Sequence, residues 1–429
     1  MQIAAERIAP VPLGGEATGA AQAPPLALPG EHFAAAMAFF VLGSLGLVAI
    51  APELAFGAFF GPRVIAAVHL FTVGWIMLSI FGALCQFLPV AIGRGLRWQR
   101  LAHVTFGLHV LGAAGFIIGL VEARHGLAVA GAASLSTAFV LFALNLGATL
   151  ASVRDRSVTW WALAGATLFL VVTPLYGVLL QLNLIDGLGM HRFHVVAVHA
   201  HIAIIGVVLL VIVGVAHRLI PMFLLSHGAT ERPAWVAVAL LGAGASLLAL
   251  PMGGLALDAV GGILAAGGVI AFATQAVMFF RHRKRRALDP GLRLAAAGIV
   301  GLIAAMVIAP LAFTRGLADL RLLTTYFVVL LGALSLFVAG HYYKIVPFLV
   351  WYHRFGPLVG TRKVPKVSEL FSERIATVDG LLLVAGLAGL AAGTHLGSMA
   401  ITRAAAILFA IGVFVEVIVI AGIARRRPA

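Results

Sequence analysis

Three histidines interrupt stretches of the chain that are otherwise apolar. They are His69 and the pair His199 and His201, which a single alanine separates. A neutral imidazole is a common ligand of haem iron and of copper, and ionisable residues are rare inside membrane helices unless they have a role. Each of the three is therefore a candidate either for binding a metal or haem, or for a hydrogen bond to a neighbouring helix.

The composition indicates a membrane protein. Of the 429 residues, 62% are hydrophobic and 10% are charged, where a soluble domain carries roughly 25% charged residues. This balance excludes a soluble globular enzyme. The single cysteine, Cys85, excludes a disulfide framework, a cysteine-rich zinc or iron–sulfur site, and a c-type haem attached through paired cysteines.

Apolar runs alternate with charged or Gly/Pro-containing loops, and each run is close to the roughly 20 residues that a membrane-spanning helix needs. We expect an all-α polytopic membrane protein with twelve transmembrane helices, at residues 33–55, 63–92, 101–121, 127–152, 158–183, 194–224, 234–256, 259–280, 292–313, 322–350, 375–396 and 399–423. Residues 1–31, rich in Ala, Pro and Gly, are predicted to be a flexible N-terminal tail. Residues 32–424 form the predicted membrane domain, and residues 425–429 a basic C-terminal tail.

Lys and Arg are concentrated in the loops after the even-numbered helices, for example in RHRKRR at residues 281–286. Because cytoplasmic loops retain positive charge, we expect both termini to be cytoplasmic in a bacterial-type inner membrane. The formal net charge of +14 then follows from topology and from contact with anionic lipid. No nucleic-acid partner is expected.

A pattern repeats three times and ends each time in a proline, at Pro89, Pro221 and Pro347. The shared glycines lie seven residues before each proline (Gly82, Gly214, Gly340) and fifteen residues before it (Gly74, Gly206, Gly332). The three segments fall on predicted helices two, six and ten. This spacing predicts three pseudo-equivalent four-helix units in parallel orientation.

The repeat also relates two of the histidines. Twenty residues before the prolines stand His69, His201 and Phe327. At 1.5 Å per helical residue, His69 and His201 lie about 30 Å from the cytoplasmic end of their helices, near the periplasmic side. Both imidazoles are therefore expected at the same depth in the membrane.

With these features the chain resembles the catalytic subunit (subunit I) of the haem-copper oxidases, especially the C-family oxidases and the nitric oxide reductases. The resemblance rests on twelve helices in three units, on His69 followed by Gly74 and Trp75, and on the pair His199 and His201. In that family, histidines on helices two and ten hold a low-spin haem and a reactive haem, and histidines on helices six and seven hold a second metal.

The chain departs from this family pattern in its ligand positions. The histidine pair is on helix six, helix ten carries Thr325, Tyr326 and Phe327 at the corresponding depth, and helix seven has no histidine. The usual binuclear centre therefore cannot form. The resemblance implies that His69 and His201 ligate one haem b, while His199 is left for a second haem or copper, or for a hydrogen bond.

The expected function is that of a haem-binding membrane redox protein that transfers electrons or handles a small gas, NO or O₂. If it is an enzyme, the resemblance implies an oxidoreductase of the haem-copper oxidase or nitric oxide reductase type. Its electron donor would be a quinol or a redox partner protein. The alternatives are a secondary transporter with internal repeats, and a non-catalytic gas sensor or metal-centre assembly factor.

Other ionisable residues are weaker candidates. Glu416 lies inside an apolar run and is expected to be protonated or paired, with a proton path as the alternative. His103 and His109 on helix three are assigned to packing or to proton relay.

The charge asymmetry generates a topological prediction. A reporter enzyme that is active only outside the cytoplasm, fused after Ala429, should give no signal, because an even number of helices returns the chain to the basic side. The same reporter fused into the loop near Arg124 should be active. A strong signal from the C-terminal fusion would contradict the orientation.

Overall fold

The computed structural model describes residues 26–186, 192–250 and 254–428. Throughout these ranges the fold is built from helices. The long ones are α1 (Ala27–Ala49), α2 (Pro62–Ile92), α3 (Gln99–Val121), α4 (His125–Ala151), α5 (Val158–Asp186), α6 (Arg192–His201, Ile202–Leu209 and Leu210–Leu224 in succession), α7 (Arg232–Leu248), α8 (Gly254–Arg281), α9 (Pro290–Arg315), α10 (Leu320–Val350), α11 (Glu373–Leu396) and α12 (Met399–Arg425).

Ten stretches of the described chain are long and apolar enough to cross a membrane, which makes this a multi-pass membrane protein. One of them, Pro290–Leu358, contains both α9 and α10, which a short 3-10 turn at Gly316–Asp319 joins. Helix α7 is apolar but has only 17 residues.

Some helix ends differ from the predicted ones by several residues. Helix α1 begins at Ala27, inside the segment expected to be a tail, and residues 1–25 lie outside the described residues. Helix α11 begins at Glu373 because the Ser372 hydroxyl accepts a hydrogen bond from the Ile375 amide, which satisfies one of the free N–H groups of the first turn.

Helices α2, α6 and α10 lie at the centre of the molecule. The apolar windows of α2 and α6 are 67% and 72% buried, against 33% to 44% for α1, α3 and α12. The three central helices line one cavity of about 60 Å³, bordered by Ser79 and Leu84 of α2, Val211 of α6, and His341 and Tyr342 of α10. Its surface is almost entirely apolar.

The repeated glycines allow the central helices to approach their neighbours closely. A Cβ atom on Gly82 would lie 2.8 Å from Cβ of His32 on α1, and one on Gly214 would lie 2.8 Å from Cβ of Ala162 on α5. A Cβ atom on Gly340 would lie 2.6 Å from the Ala295 amide nitrogen on α9. Each of these three glycines therefore contacts the helix that precedes its own.

The glycines fifteen residues before the prolines repeat the arrangement in two of the three segments. Gly74 faces the ring of Phe39 on α1, and Gly206 faces the ring of Phe169 on α5. Gly332 instead faces Leu387 of α11. The third segment thus keeps one glycine contact of the repeat and replaces the other.

The tight fit at Gly340 generates a stability prediction. Gly340→Ala should lower the free energy of unfolding by about 1–3 kcal/mol, because a methyl group there overlaps the backbone of α9. The measurement is the thermal unfolding midpoint of the purified protein in detergent. Gly107→Ala on α3 is the control, since nothing lies within 4 Å of the added methyl group. Equal midpoints for the two variants would contradict the predicted close packing.

Candidate haem site

His69 lies on α2 at the last residue of the regular α-helical stretch Pro62–His69, and it is half-buried. Its Nδ1 atom lies 2.8 Å from the carbonyl oxygen of Ile65, one turn earlier on the same helix. Because a carbonyl can only accept, Nδ1 carries the proton and Nε2 keeps its lone pair. The backbone thus holds this imidazole in the tautomer that binds metals through Nε2.

His199 lies on α6 and is held in the same tautomer by a different helix. Its Nδ1 atom lies 3.1 Å from the carbonyl oxygen of Thr173 on α5. The ring also rests against Gly177 of α5, where an added Cβ atom would lie 3.3 Å from Cε1 of His199. A glycine at this position therefore leaves room for the imidazole between α5 and α6.

The structure brings the rings of His69 and His199 together. Their centroids are 6.5 Å apart and their planes differ by 21°. Phe116 of α3 presents its ring edge-on to His69 at a centroid distance of 4.9 Å. Two near-parallel imidazoles therefore lie close together where α2, α3, α5 and α6 meet.

His201 lies two residues further along α6 and turns toward α10. Its Nδ1 atom is 2.6 Å from the Ala197 carbonyl oxygen, and its Nε2 atom is 3.2 Å from the hydroxyl oxygen of Tyr326. The rings of Phe313 and Phe327 pack around it at centroid distances of 5.2 Å and 5.9 Å. Both ring nitrogens of His201 thus have a hydrogen-bond partner.

The two histidines that the repeat relates share their local geometry but not their neighbours. In both His69 and His201, Nδ1 hydrogen-bonds the carbonyl four residues earlier. The sequence pattern pairs His69 with His201, whereas the ring contacts pair His69 with His199 and place His201 against Tyr326. The role of His201 as a haem ligand remains a prediction.

A π-helical segment begins directly after each of these histidines, at Leu70–Met77 in α2 and at Ile202–Leu209 in α6. Such widened turns are rare and occur often at functional sites. Gly74 and Gly206 lie inside them. These segments were not predicted from the sequence, and the glycine column of the repeat does not distinguish them, because Gly332 lies in the regular α-helix of α10.

The π-helical segment of α2 supplies the hydrogen-bond partner of His109 on α3. Its Nε2 atom lies 2.8 Å from the carbonyl oxygen of Val73, inside that segment, and the residue is fully buried. His109 thus donates a hydrogen bond to the π-helical backbone and fixes α3 against α2, which matches the packing role considered for it. His103 is exposed and lies 2.7 Å from a carboxylate oxygen of Glu31.

No cluster of three or more His, Cys, Asp or Glu side chains that could hold a metal ion occurs in the described part of the chain. A bare metal ion at the His69–His199 site would have two imidazole ligands. A haem iron needs only two ligands from the protein, because the porphyrin supplies four nitrogens. The available donors therefore fit a haem better than a bare ion.

Comparison with models of known protein families finds no match to the chain, and no curated protein matches it significantly.

Proposed function

We propose that this chain is a haem-binding integral membrane redox protein in which His69 and His199 would hold one haem. The observation that carries the proposal is the facing pair of imidazoles at 6.5 Å, each with its Nδ1 atom bound to a backbone carbonyl. Both Nε2 lone pairs are then available for a metal.

The separation of the rings suits two imidazoles that would hold one metal ion between them. Metal–imidazole nitrogen bonds are close to 2 Å long, so two such ligands have ring centroids roughly 6 Å apart. The ring-centroid distance of 6.5 Å between His69 and His199 is close to this value.

The surroundings favour a haem of the b type. The single cysteine rules out covalent attachment through paired cysteines. When bound, the haem would supply reversible one-electron transfer. The chain would hold the ligand rings in place from α2 and α6, and Phe116 would pack on the His69 ring.

The contacts of His201 favour a different role from axial ligation. Its Nε2 atom accepts from the Tyr326 hydroxyl, so ligation would require that hydrogen bond to break. We therefore assign His201 to joining α6 to α10 beside the haem. A second haem or a copper ion would need His201 to release Tyr326.

We also propose that the chain crosses the membrane twelve times, in three four-helix units. Equivalent glycine contacts support these units, because Gly82, Gly214 and Gly340 each pack on the first helix of their own unit. Contact between α12 and α1 would close the three units into a ring. With the basic loops cytoplasmic, His69 and His199 lie toward the periplasmic side, where a quinol or a redox partner protein would deliver electrons.

The assignment of the axial ligands predicts the spectra of single variants. Purified wild-type protein should show the visible spectrum of a low-spin b-type haem. His69→Ala and His199→Ala should each lose that spectrum, because one axial ligand is removed. His395→Ala, at an exposed position near the end of α11, is the control and should keep it.

The same series distinguishes the competing assignments. Loss of the low-spin spectrum in His201→Ala but not in His199→Ala would contradict the pairing proposed here and favour His69 with His201. Purified protein without any haem would reject the proposal, and bound copper in its place would identify a two-histidine copper site.

A six-coordinate haem also predicts limited gas chemistry. Reduced wild-type protein should not bind CO rapidly and should not reduce O₂ or NO quickly with an artificial donor, because both axial positions are occupied. His199→Ala should bind CO, since a position on the iron opens. Fast O₂ reduction by the wild-type protein would show that another residue set forms an active site.

A further inference from the structure

Two carboxyl groups are buried between α11 and α12, well away in sequence from the histidine pair. Asp379 and Glu416 are both fully buried. Neither forms an ion pair in the described part of the chain, and Lys344, which follows the tyrosine pair of α10, is bound by Asp289 instead. An uncompensated charge inside a membrane bundle is strongly unfavourable.

The glycine contacts between α11 and α12 fix the register of these two acids. An added Cβ atom on Gly393 would meet Thr402, and one on Gly386 would meet Phe409. Asp379 comes seven residues before Gly386, and Glu416 comes seven residues after Phe409. In an antiparallel helix pair, seven-residue steps stay on one face, so Asp379 and Glu416 lie at one level of the same interface.

The oxygens of the two carboxyl groups are largely unpartnered. Both side-chain oxygens of Glu416 and the Oδ1 atom of Asp379 are buried without a hydrogen-bond partner. Only Oδ2 of Asp379 is satisfied, by the Tyr343 hydroxyl at 2.7 Å. Buried carboxylate oxygens without donors imply protons that belong to the carboxyl groups themselves.

We propose that Asp379 and Glu416 form a proton-binding site, in which Glu416 carries a proton and Asp379 is the neighbouring acceptor. Two carboxyl groups at one level without a cation cannot both be charged, so the pair holds at least one proton. The Tyr343 hydroxyl donates to Asp379 and stabilises the charge when it resides there. The proposal rests on this pair alone and holds whether or not the chain binds haem.

The pair is near the basic end of the bundle, which gives protons a short route. Asp379 is six residues after the start of α11, about 9 Å along the helix axis. The Tyr343 ring contacts Phe371 in the preceding loop at a centroid distance of 5.5 Å. We expect proton exchange with the cytoplasmic side past this tyrosine.

A chain of hydrogen bonds joins Tyr342, the residue next to Tyr343 on α10, to α2. The Tyr342 hydroxyl lies 2.8 Å from the Ser79 hydroxyl, which in turn lies 2.6 Å from the Trp75 carbonyl oxygen. Trp75 belongs to the π-helical segment that follows His69. Adjacent tyrosines of α10 therefore contact Asp379 of α11 and Ser79 of α2.

The ionisable groups around the pair lie on its own two helices and on the elements packed against them. They are Glu373, Arg374 and His395 (α11), Arg403 and Arg425 (α12), Arg321, Tyr326, His341, Tyr342, Tyr343 and Lys344 with the cap Asp319 (α10), Arg293 and Arg315 with the cap Asp289 (α9), Glu31 and His32 (α1), and Glu53 of the short helix Ala51–Ala55.

Infrared spectroscopy of the purified full-length protein tests the proposal. The wild-type protein should show the carbonyl stretch of a protonated carboxylic acid, and transfer to D₂O should shift it. Glu416→Gln should abolish the band, while Asp379→Asn should keep it at a shifted frequency, because its neighbour has changed. Glu373→Gln, at the exposed start of α11, is the matched control and should leave the band unchanged.

Isotope labelling of the wild-type protein keeps the test valid if a variant fails to fold. The band should move when glutamate is labelled with ¹³C and stay when aspartate is labelled. A band insensitive to both Glu416→Gln and labelled glutamate would overturn the proposal. Loss of the band when Na⁺ replaces a larger cation in the buffer would overturn the proton-binding site in favour of a metal-cation site. A band that never shifts in D₂O would overturn the route for proton exchange.

Discussion

An imidazole inside a membrane must give its N–H to an acceptor, and in this protein the acceptor is usually a helix carbonyl. His69 and His201 use the carbonyl four residues earlier on their own helix, and His199 uses a carbonyl of the neighbouring helix α5. Because a carbonyl oxygen can only accept, this one hydrogen bond decides the tautomer. It also decides which nitrogen faces the site, and therefore whether the ring can bind a metal.

Close helix approach is the second condition for the site. Glycines remove the side chains that would otherwise separate α2 from α1 and α6 from α5, and Gly177 leaves space for the His199 ring. The π-helical segments after His69 and His201 widen α2 and α6 at equivalent positions of the repeat. The histidines and the buried carboxyl pair lie toward opposite ends of the bundle, since His201 contacts Tyr326 near the start of α10 and Asp379 contacts Tyr343 near its end.

The sequence allowed the helical membrane architecture to be predicted, because hydropathy and loop charge report directly on burial in lipid. It also made His69, His199 and His201 candidate site residues, since ionisable residues are conspicuous in apolar runs. Their pairing was not predictable from the repeat. His199 and His201 differ by two residues, roughly 200° around a helix, and only the packing of α5 and α10 shows that His199 faces His69 while His201 faces Tyr326. Likewise, Glu416 was recognisable as a buried acid, but its register with Asp379 depends on how the glycines of α11 meet α12.

The most direct test of the account is electron paramagnetic resonance of the oxidised purified protein, prepared with ¹⁵N-labelled histidine. We predict a low-spin ferric haem signal coupled to two imidazole nitrogens, which His201→Ala should retain and which His199→Ala should replace with a high-spin signal coupled to one imidazole. A signal coupled to a single imidazole, or coupling to two imidazoles that survives in His199→Ala, would contradict the assignment of His69 and His199 as the axial pair.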